Sequence, residues 1–332
     1  MGLEVKKEDF GIEGEFITDD TIKEQGEALR KEKDQLKEKL STYENLRLEA
    51  NKKANKVYIF LIPLVIVIAI IGIQYPPLFF VAFVLLIIGL TYGQKEMKKV
   101  SKMLKEDLIS KVIADTFENS QYSIKEGVNL GEVMQPNMIH RPDRYSSEDM
   151  ITATYKNIKF LMSDIKLEDR HTTTDSNGHT RTTYQTYFKG KFVKIDLIRD
   201  LNLTLKLYEK STFGFFQGAL SGLEKIETES IAFNKKFKTL ATSQQDAFYV
   251  LTPQLQEKFI ELENKFRGSI YFCFQNGYFY CMINDGSDGL EVNPRKPIDD
   301  KWLKGILSEI SLAATMIEEF HFDSDKWINK DR

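Results

Sequence analysis

Cysteine is nearly missing from this chain of 332 residues: Cys273 and Cys281 are the two it has. Two are too few for the disulfide framework of a secreted domain. Histidine is also scarce, and His140, His171, His179 and His321 are scattered, whereas zinc requires clustered His and Cys. If Asn177-Gly178 makes a two-residue turn, His171 faces Tyr184 and His179 faces Ser176, roughly 16 Å apart at strand rise. No metal site is expected there. Asp285-Gly-Ser-Asp-Gly289 lacks the alternating ligand spacing of a calcium loop and reads as a glycine-rich turn. The phosphate-cradling Gly-x-x-x-x-Gly-Lys-Ser/Thr pattern and the Gly-x-Ser-x-Gly elbow are both absent, and no cofactor is expected. Net charge is −3 and the pI about 6.0, which argues against a nucleic-acid partner. The first twenty residues are acidic, the reverse of a signal peptide's basic start, so the first apolar span is expected to act as the targeting signal.

Charge itself is missing from Val57 to Gln94, although charged residues make up 29% of the chain. The block divides at Gln74-Tyr75-Pro76-Pro77, because two prolines in a row cannot continue a helix. Val57–Ile73 and Leu78–Gly93 remain, each roughly 25 Å long at the helical rise, short against a hydrocarbon core of about 30 Å. Tyr58, Tyr75 and Tyr92 suit the interface. The reading adopted is a hairpin that crosses the bilayer twice. A re-entrant or interfacial hairpin and a single kinked helix are the alternatives, while a soluble buried hairpin lacks a polar face. Arg47, Lys52, Lys53 and Lys56 precede the block, and Lys95, Lys98, Lys99, Lys102 and Lys105 follow it. Lys and Arg mark the cytoplasmic side, so both termini are expected there.

Outside the block, residues 18–56 read as one charged helix with Thr18-Asp19-Asp20 at its start. Ile22, Leu29, Leu36, Tyr43 and Ala50 recur every seventh residue, a thin coiled-coil seam that a solvated helix would also show. Val100, Leu104, Leu108 and Val112, with Ile109 and Ile113, give Glu96–Phe117 an apolar face. Two helices leaving the membrane side by side would form a cytosolic stalk joined through Leu36, Tyr43, Val100 and Leu104.

From Tyr122 onward short strands mix with helices. Tyr155–Met162 opens a strand-rich stretch, and Ile165–Thr174 and Thr180–Ile195 read as a hairpin around Asn177-Gly178. That turn sets Thr173 opposite Thr182 and Thr172 opposite Thr183, in a polar tip projecting into solvent. Leu201–Tyr208 is a further strand. Phe213, Phe215 and Phe216 sit in an irregular loop that packs on the sheet or touches a bilayer. A helix is expected over Pro253–Phe266 and another after Asp299-Asp300, burying Leu303, Ile306, Leu307, Ile310 and Ile317. Ser269–Ile283 turns at Asn276-Gly277, placing Cys273 opposite Tyr280 and Cys281 opposite Phe272, on opposite faces. The phenylalanine face should be the core face, with Cys281 the more buried thiol.

The fold class expected is α+β: a transmembrane helical hairpin with a cytosolic helical stalk, then a mixed, mainly antiparallel sheet with flanking helices. The boundaries are an acidic tail 1–17, charged helix 18–56, transmembrane hairpin 57–94, juxtamembrane helix 95–121, cytosolic α+β domain 122–325 and tail 326–332.

The proline-broken hairpin behind a charged helix, Phe188-Lys-Gly190, Glu229-x-x-x-Phe233-Asn-Lys-Lys-Phe237 and Leu251-Thr-Pro253 together resemble the bacterial membrane proteins catalogued as domain of unknown function 3137. The resemblance implies a bacterial inner-membrane location, no established activity and no catalytic residues to carry over. It also implies a possible partner, a LemA-like coiled-coil membrane protein. Two function classes remain. The first is a membrane-anchored module that binds another protein, itself or the membrane surface. The second is a membrane-tethered enzyme, with the polar stretch His140-Arg-Pro-Asp-Arg144 offering Arg141, Asp143 and Arg144 as its candidate site. A transporter is disfavoured, because the two spans carry no charge.

Overall fold

The computed structural model describes residues 19–176, 178–197, 202–210, 222–266, 268–291, 296–324 and 327. The acidic tail, Thr18 and the Phe213–Phe216 loop lie outside these. The chain divides into two compact units, residues 1–100 with 295–300, and residues 101–294 with 301–332.

In the first unit, α1 (Asp19–Gly72) runs unbroken through the boundary expected at Lys56, and through Pro63. α2 (Pro77–Leu104) starts on Pro77, where a missing amide hydrogen costs nothing because a first-turn N–H has no helical acceptor. The helices touch where Gly89 faces Leu61; a Cβ at Gly89 would overlap that side chain. Leu40, Tyr43, Arg47, Ala50 and Ala54 are buried, a stripe with heptad spacing. Within it Arg47 pairs with Glu44 at 2.6 Å, and Glu44 also accepts the Ile298 N–H at 2.8 Å. Farther along the side chains turn outward: Ile59, Phe60, Ile66, Ile70, Phe80, Phe83 and Ile88 are all exposed. Among the described residues one helix, over Glu38–Gly72, is long and apolar enough to cross a membrane; the apolar part of α2, Pro77–Tyr92, is shorter.

The second unit begins with a helix that continues as a π-turn, Lys105–Ile109, and α3 (Ser110–Thr116). Its strands are β1 (Glu118–Ser123), β2 (Arg144–Tyr155), β3 (Ile158–Thr174), β4 (Thr180–Asp196), β5 (Thr204–Glu209), β6 (Glu224–Ile226), β7 (Phe237–Ala241), β8 (Ser269–Gln275) and β9 (Tyr278–Asn284). They form one sheet in the order β1-β2-β3-β4-β9-β8-β5-β7-β6, and every described pairing is antiparallel. The sheet is therefore wholly antiparallel rather than mixed. Interleaved helices are α4 (Leu130–Met134), α5 (Ile231–Lys236), α6 (Gln244–Val250), α7 (Pro253–Lys265), α8 (Asp300–Ile310) and α9 (Leu312–Glu319).

Both faces of the sheet are covered. One carries the larger core, with Phe233, Phe259, Phe272, Phe274, Phe279, Ile317 and Phe320 in it. Each such side chain contributes roughly 1.5–3 kcal/mol when fully removed from water. Trp327, in the stretch expected to be tail, is buried and stacks on Phe274 at 5.5 Å. The other face is closed by Val128, Val133, Met138 and Ile139 over Tyr208, Tyr271, Cys273 and Tyr280.

The β8–β9 hairpin has the expected register, Phe274 opposite Phe279, Cys273 opposite Tyr280 and Phe272 opposite Cys281. Asn276 and Gly277 both hold positive φ, as a primed two-residue turn requires. The cysteines lie on opposite faces and are free. The expected difference in their burial is absent, because both faces are cores and both thiols are sealed.

The strand-rich stretch that opens at Tyr155 turns at once: Lys156 and Asn157 take positive φ and lead the chain from β2 into β3. Other expectations change. In the β3–β4 hairpin Thr172 faces Thr182 and Thr174 faces Thr180, one residue off the expected register. The loop spans Asp175–His179 rather than two residues, with the Asp175 N–H donating to the His179 carbonyl and the His179 N–H to the Asp175 carboxylate. A bulge between Leu167 and Glu168 absorbs the offset, so Leu167 opposite Phe188 restores the expected pairing. The helix after Asp300 breaks at Ser311, and Leu307 is 40% exposed rather than buried.

Candidate functional site

Two backbone irregularities converge on one buried ion pair. At the π-turn the Ser110 N–H and hydroxyl both reach the Lys105 carbonyl; such wide turns are rare and frequent at functional sites. In β2 the register slips between Glu148 and Ile151, and Asp149 adopts φ 55°, unusual for a residue with a side chain. A bulge re-aims its extra residue, and here Asp149 is completely buried. Lys105 Nζ lies 2.5 Å from Asp149 Oδ2, the Tyr122 hydroxyl donates to Asp149 Oδ1 at 2.6 Å, and Glu291 Oε2 is 3.3 Å from the same ammonium. Burial opposes the charge on Lys105, but Asp149 and Glu291 outweigh it and raise its pKa. Burial first, then Asp149, pushes the Tyr122 phenol far up.

Beside this pair lies a second. Asp164 on β3 and Lys191 on β4 are directly opposite. Lys191 Nζ is 3.7 Å from Asp164 Oδ1 and 2.6 Å from Glu309 Oε2, yet it makes no well-directed hydrogen bond. Asp164 Oδ2 accepts the Gly289 N–H at 3.0 Å. A Cβ on Gly289 would strike Lys191 Nζ, so glycine is what lets the ammonium approach. Burial raises Asp164 to about 7; Lys191 opposes the rise, and Asp288 and Asp149 add to it. Glu148 is raised by burial and by Asp288 and Asp149.

Asp149, Asp164 and Asp288 each bring an oxygen within 4.8 Å of the others, the one such acidic group among the described residues. Both Asp149 oxygens are taken by Lys105 and Tyr122, and Asp164 is held by Gly289 and Lys191. The two lysines supply the positive charge that a metal ion would bring. What stays open is Asp288: its Oδ1 is buried without a hydrogen-bond partner, and its Oδ2 is 4.0 Å from Lys189.

Above this network is a cleft of about 220 Å³ lined by Lys125, Lys166 and Lys189, by Glu148, Asp164 and Asp288, and by Ser146, Ser147 and Ser287. Apart from Lys189 in Phe188-Lys-Gly190 and the 285–289 turn, none of these stood out in the sequence. The available signal was charge inside apolar strands, as in Phe160-Leu-Met-Ser-Asp164-Ile and Gly190-Lys-Phe-Val.

The residues that did stand out do a different task. His140 Nε2 lies 2.8 Å from Asp169 and its ring stacks on Tyr187 at 4.2 Å, while the Tyr187 hydroxyl donates to the His140 carbonyl. Asp143 accepts the Arg170 N–H at 2.8 Å. Arg144 lies 3.6 Å above the Tyr184 ring and 3.6 Å from Glu168. Arg141 is exposed. Arg141, Asp143 and Arg144 therefore do not converge on a reaction centre; His140, Asp143 and Arg144 grip the root of a projecting arm.

That arm is the end of the β3–β4 hairpin. β2 accompanies β3 only as far as Glu168, and β9 joins β4 only from Lys191. Every described residue from Arg170 to Thr186 is exposed, and the ribbon extends roughly 20 Å at strand rise.

No curated protein matches the chain. A solved structure, that of the mycobacterial trehalose monomycolate transport factor A, TtfA, is similar at 7% identity with a TM-score of 0.36, over 66% of this chain and 94% of that one. Residues 186–322, most of the sheet and its helical layer, match the model described as Protein of unknown function (DUF3137).

Proposed function

We propose that the protein is a membrane-anchored interaction module: α1 and the apolar part of α2 form a two-span hairpin, and both termini and the sheet unit are cytosolic. The observation that carries the anchoring is the exposed apolar surface from Ile59 to Leu90, which water would not tolerate as a free patch. Lysines on both flanks and an uncharged turn between the helices support the orientation. The β3–β4 arm is the element that reaches a partner, since its unpaired backbone edges accept an added strand. A LemA-like coiled-coil membrane protein, implied by the family resemblance, or a second copy is the partner class.

Reporter fusions at residue 10, at Tyr75 and at residue 332 test the topology. Both terminal fusions are expected to be active only as cytosolic reporters and the Tyr75 fusion only as a periplasmic one. Alkaline phosphatase activity from either terminus would refute the arrangement.

A second reading, a membrane-tethered enzyme, is favoured by one feature, the cleft in which Asp164 titrates near neutrality.

A further inference from the structure

We propose that the cleft between β2, β3 and the 285–289 turn binds a small zwitterion, a primary ammonium joined by a short carbon tether to a carboxylate or phosphate. This assignment does not depend on the membrane reading.

The lining carries both signs of charge, and they do not satisfy one another. Lys125 is exposed and makes no ion pair among the described residues; Lys189 approaches Asp288 no closer than 4.0 Å. Asp288 Oδ1 is buried without a hydrogen-bond partner, so the negative charge of this carboxylate is under-compensated within the protein. Beside it Glu148 and Asp164 both hold their protons more tightly than usual, as acids do where a cation would be welcome. The acidic floor repels a simple anion, and the lysines repel a simple cation. A dipolar molecule satisfies both: an ammonium donates to the accessible part of the Asp288 carboxylate, whose side chain is 24% exposed, and to Glu148, while its anionic end meets Lys125 and Lys189. A quaternary ammonium has no N–H to give these carboxylates. The volume of about 220 Å³ equals roughly seven waters at ~30 Å³ each, enough for a molecule of amino-acid size.

The test is calorimetric titration of the full chain in detergent with β-alanine, O-phosphoethanolamine, phosphocholine and inorganic phosphate. At least one of the first two is expected to bind, with phosphocholine and phosphate at least tenfold weaker. Asp288→Asn and Lys125→Ala are each expected to weaken that binding at least tenfold; Lys125 is exposed, so its variant keeps the fold even if the other does not. Absence of binding by both primary amines, equal binding of phosphocholine or phosphate, or an unchanged affinity in folded Lys125→Ala would overturn the proposal. If O-phosphoethanolamine binds, competition by phosphatidylethanolamine vesicles supports the site with a lipid headgroup as source. Lack of competition supports it with a soluble one.

Discussion

Lys105 and Asp149 meet at 2.5 Å with side chains 4% and 0% exposed, and each is delivered by a departure from regular backbone. Removing either partner strands the other as a buried charge, which typically costs 3–5 kcal/mol. Lys105→Ala and Asp149→Ala should each destabilise by about that much. The double variant should lose far less than the sum, because it strands neither charge. Trp302 and Trp327 both lie in the sheet unit, so tryptophan fluorescence during urea unfolding of the detergent-solubilised chain reads the effect. Strict additivity would mean that the pair does not act as one unit.

The thiols give a simpler expectation. Burial pushes Cys273 up to about 12 and Cys281 well above the ordinary thiol range, and thiolate is the reactive form. Neither cysteine should be alkylated in the native protein at neutral pH, and both should react together once urea unfolds the sheet. Rapid native modification of one would show that its face of the sheet is open.

The arm should be dispensable for folding. Its Thr172–Thr182 and Thr174–Thr180 contacts are exposed cross-strand pairs worth roughly 0.2–1 kcal/mol each. Replacing residues 171–183 with Asn-Gly, to join Arg170 directly to its opposite residue Tyr184, should leave the urea midpoint within about 1 kcal/mol of the parent. The same deletion should abolish crosslinks made from photoreactive residues at position 185 in native membranes. Unchanged crosslinking would move the partner surface elsewhere.

How much of this was legible follows from which physics sets each feature. The β8–β9 register was readable because Asn276-Gly277 dictates a two-residue turn, and period-two alternation then sorts Phe272, Phe274 and Phe279 from Tyr271, Cys273 and Tyr280. The same dipeptide misled at Asn177-Gly178, where Asp175 offers its carboxylate to the His179 N–H and opens a longer loop. Lys156-Asn157 carries no glycine, so the turn between β2 and β3 was hidden. The ionic cluster was unreadable for another reason: Lys105, Asp149, Asp164, Asp288 and Glu309 are far apart in sequence, and topology alone brings them together. Charges such as Asp164 and Lys191 inside apolar strands could have flagged it, but not their partners.

The last expectation concerns pH. Asp164 has its pKa raised from 3.8 to about 7, chiefly by burial, and its side chain is 10% exposed. Below pH 4 both folded and unfolded chains hold this proton, and the group contributes nothing to the balance. Between pH 4 and 7 the folded chain keeps the proton and the unfolded chain loses it, so stability falls as pH rises. At about 1.4 kcal/mol per unit the whole effect is roughly 4 kcal/mol, complete once the folded group has also ionised. Glu148, raised by burial and by its acidic neighbours, acts in the same direction. Other carboxylates, such as Glu319, are held low by lysine partners and act in the opposite direction, so the informative quantity is a difference. Asp164→Asn keeps an acceptor for the Gly289 N–H and removes the titration. Its stability should decline less than the parent's between pH 4 and 7, by urea unfolding at matched ionic strength. Parallel profiles would show that Asp164 is ionised throughout, with Lys191 rather than burial setting its state.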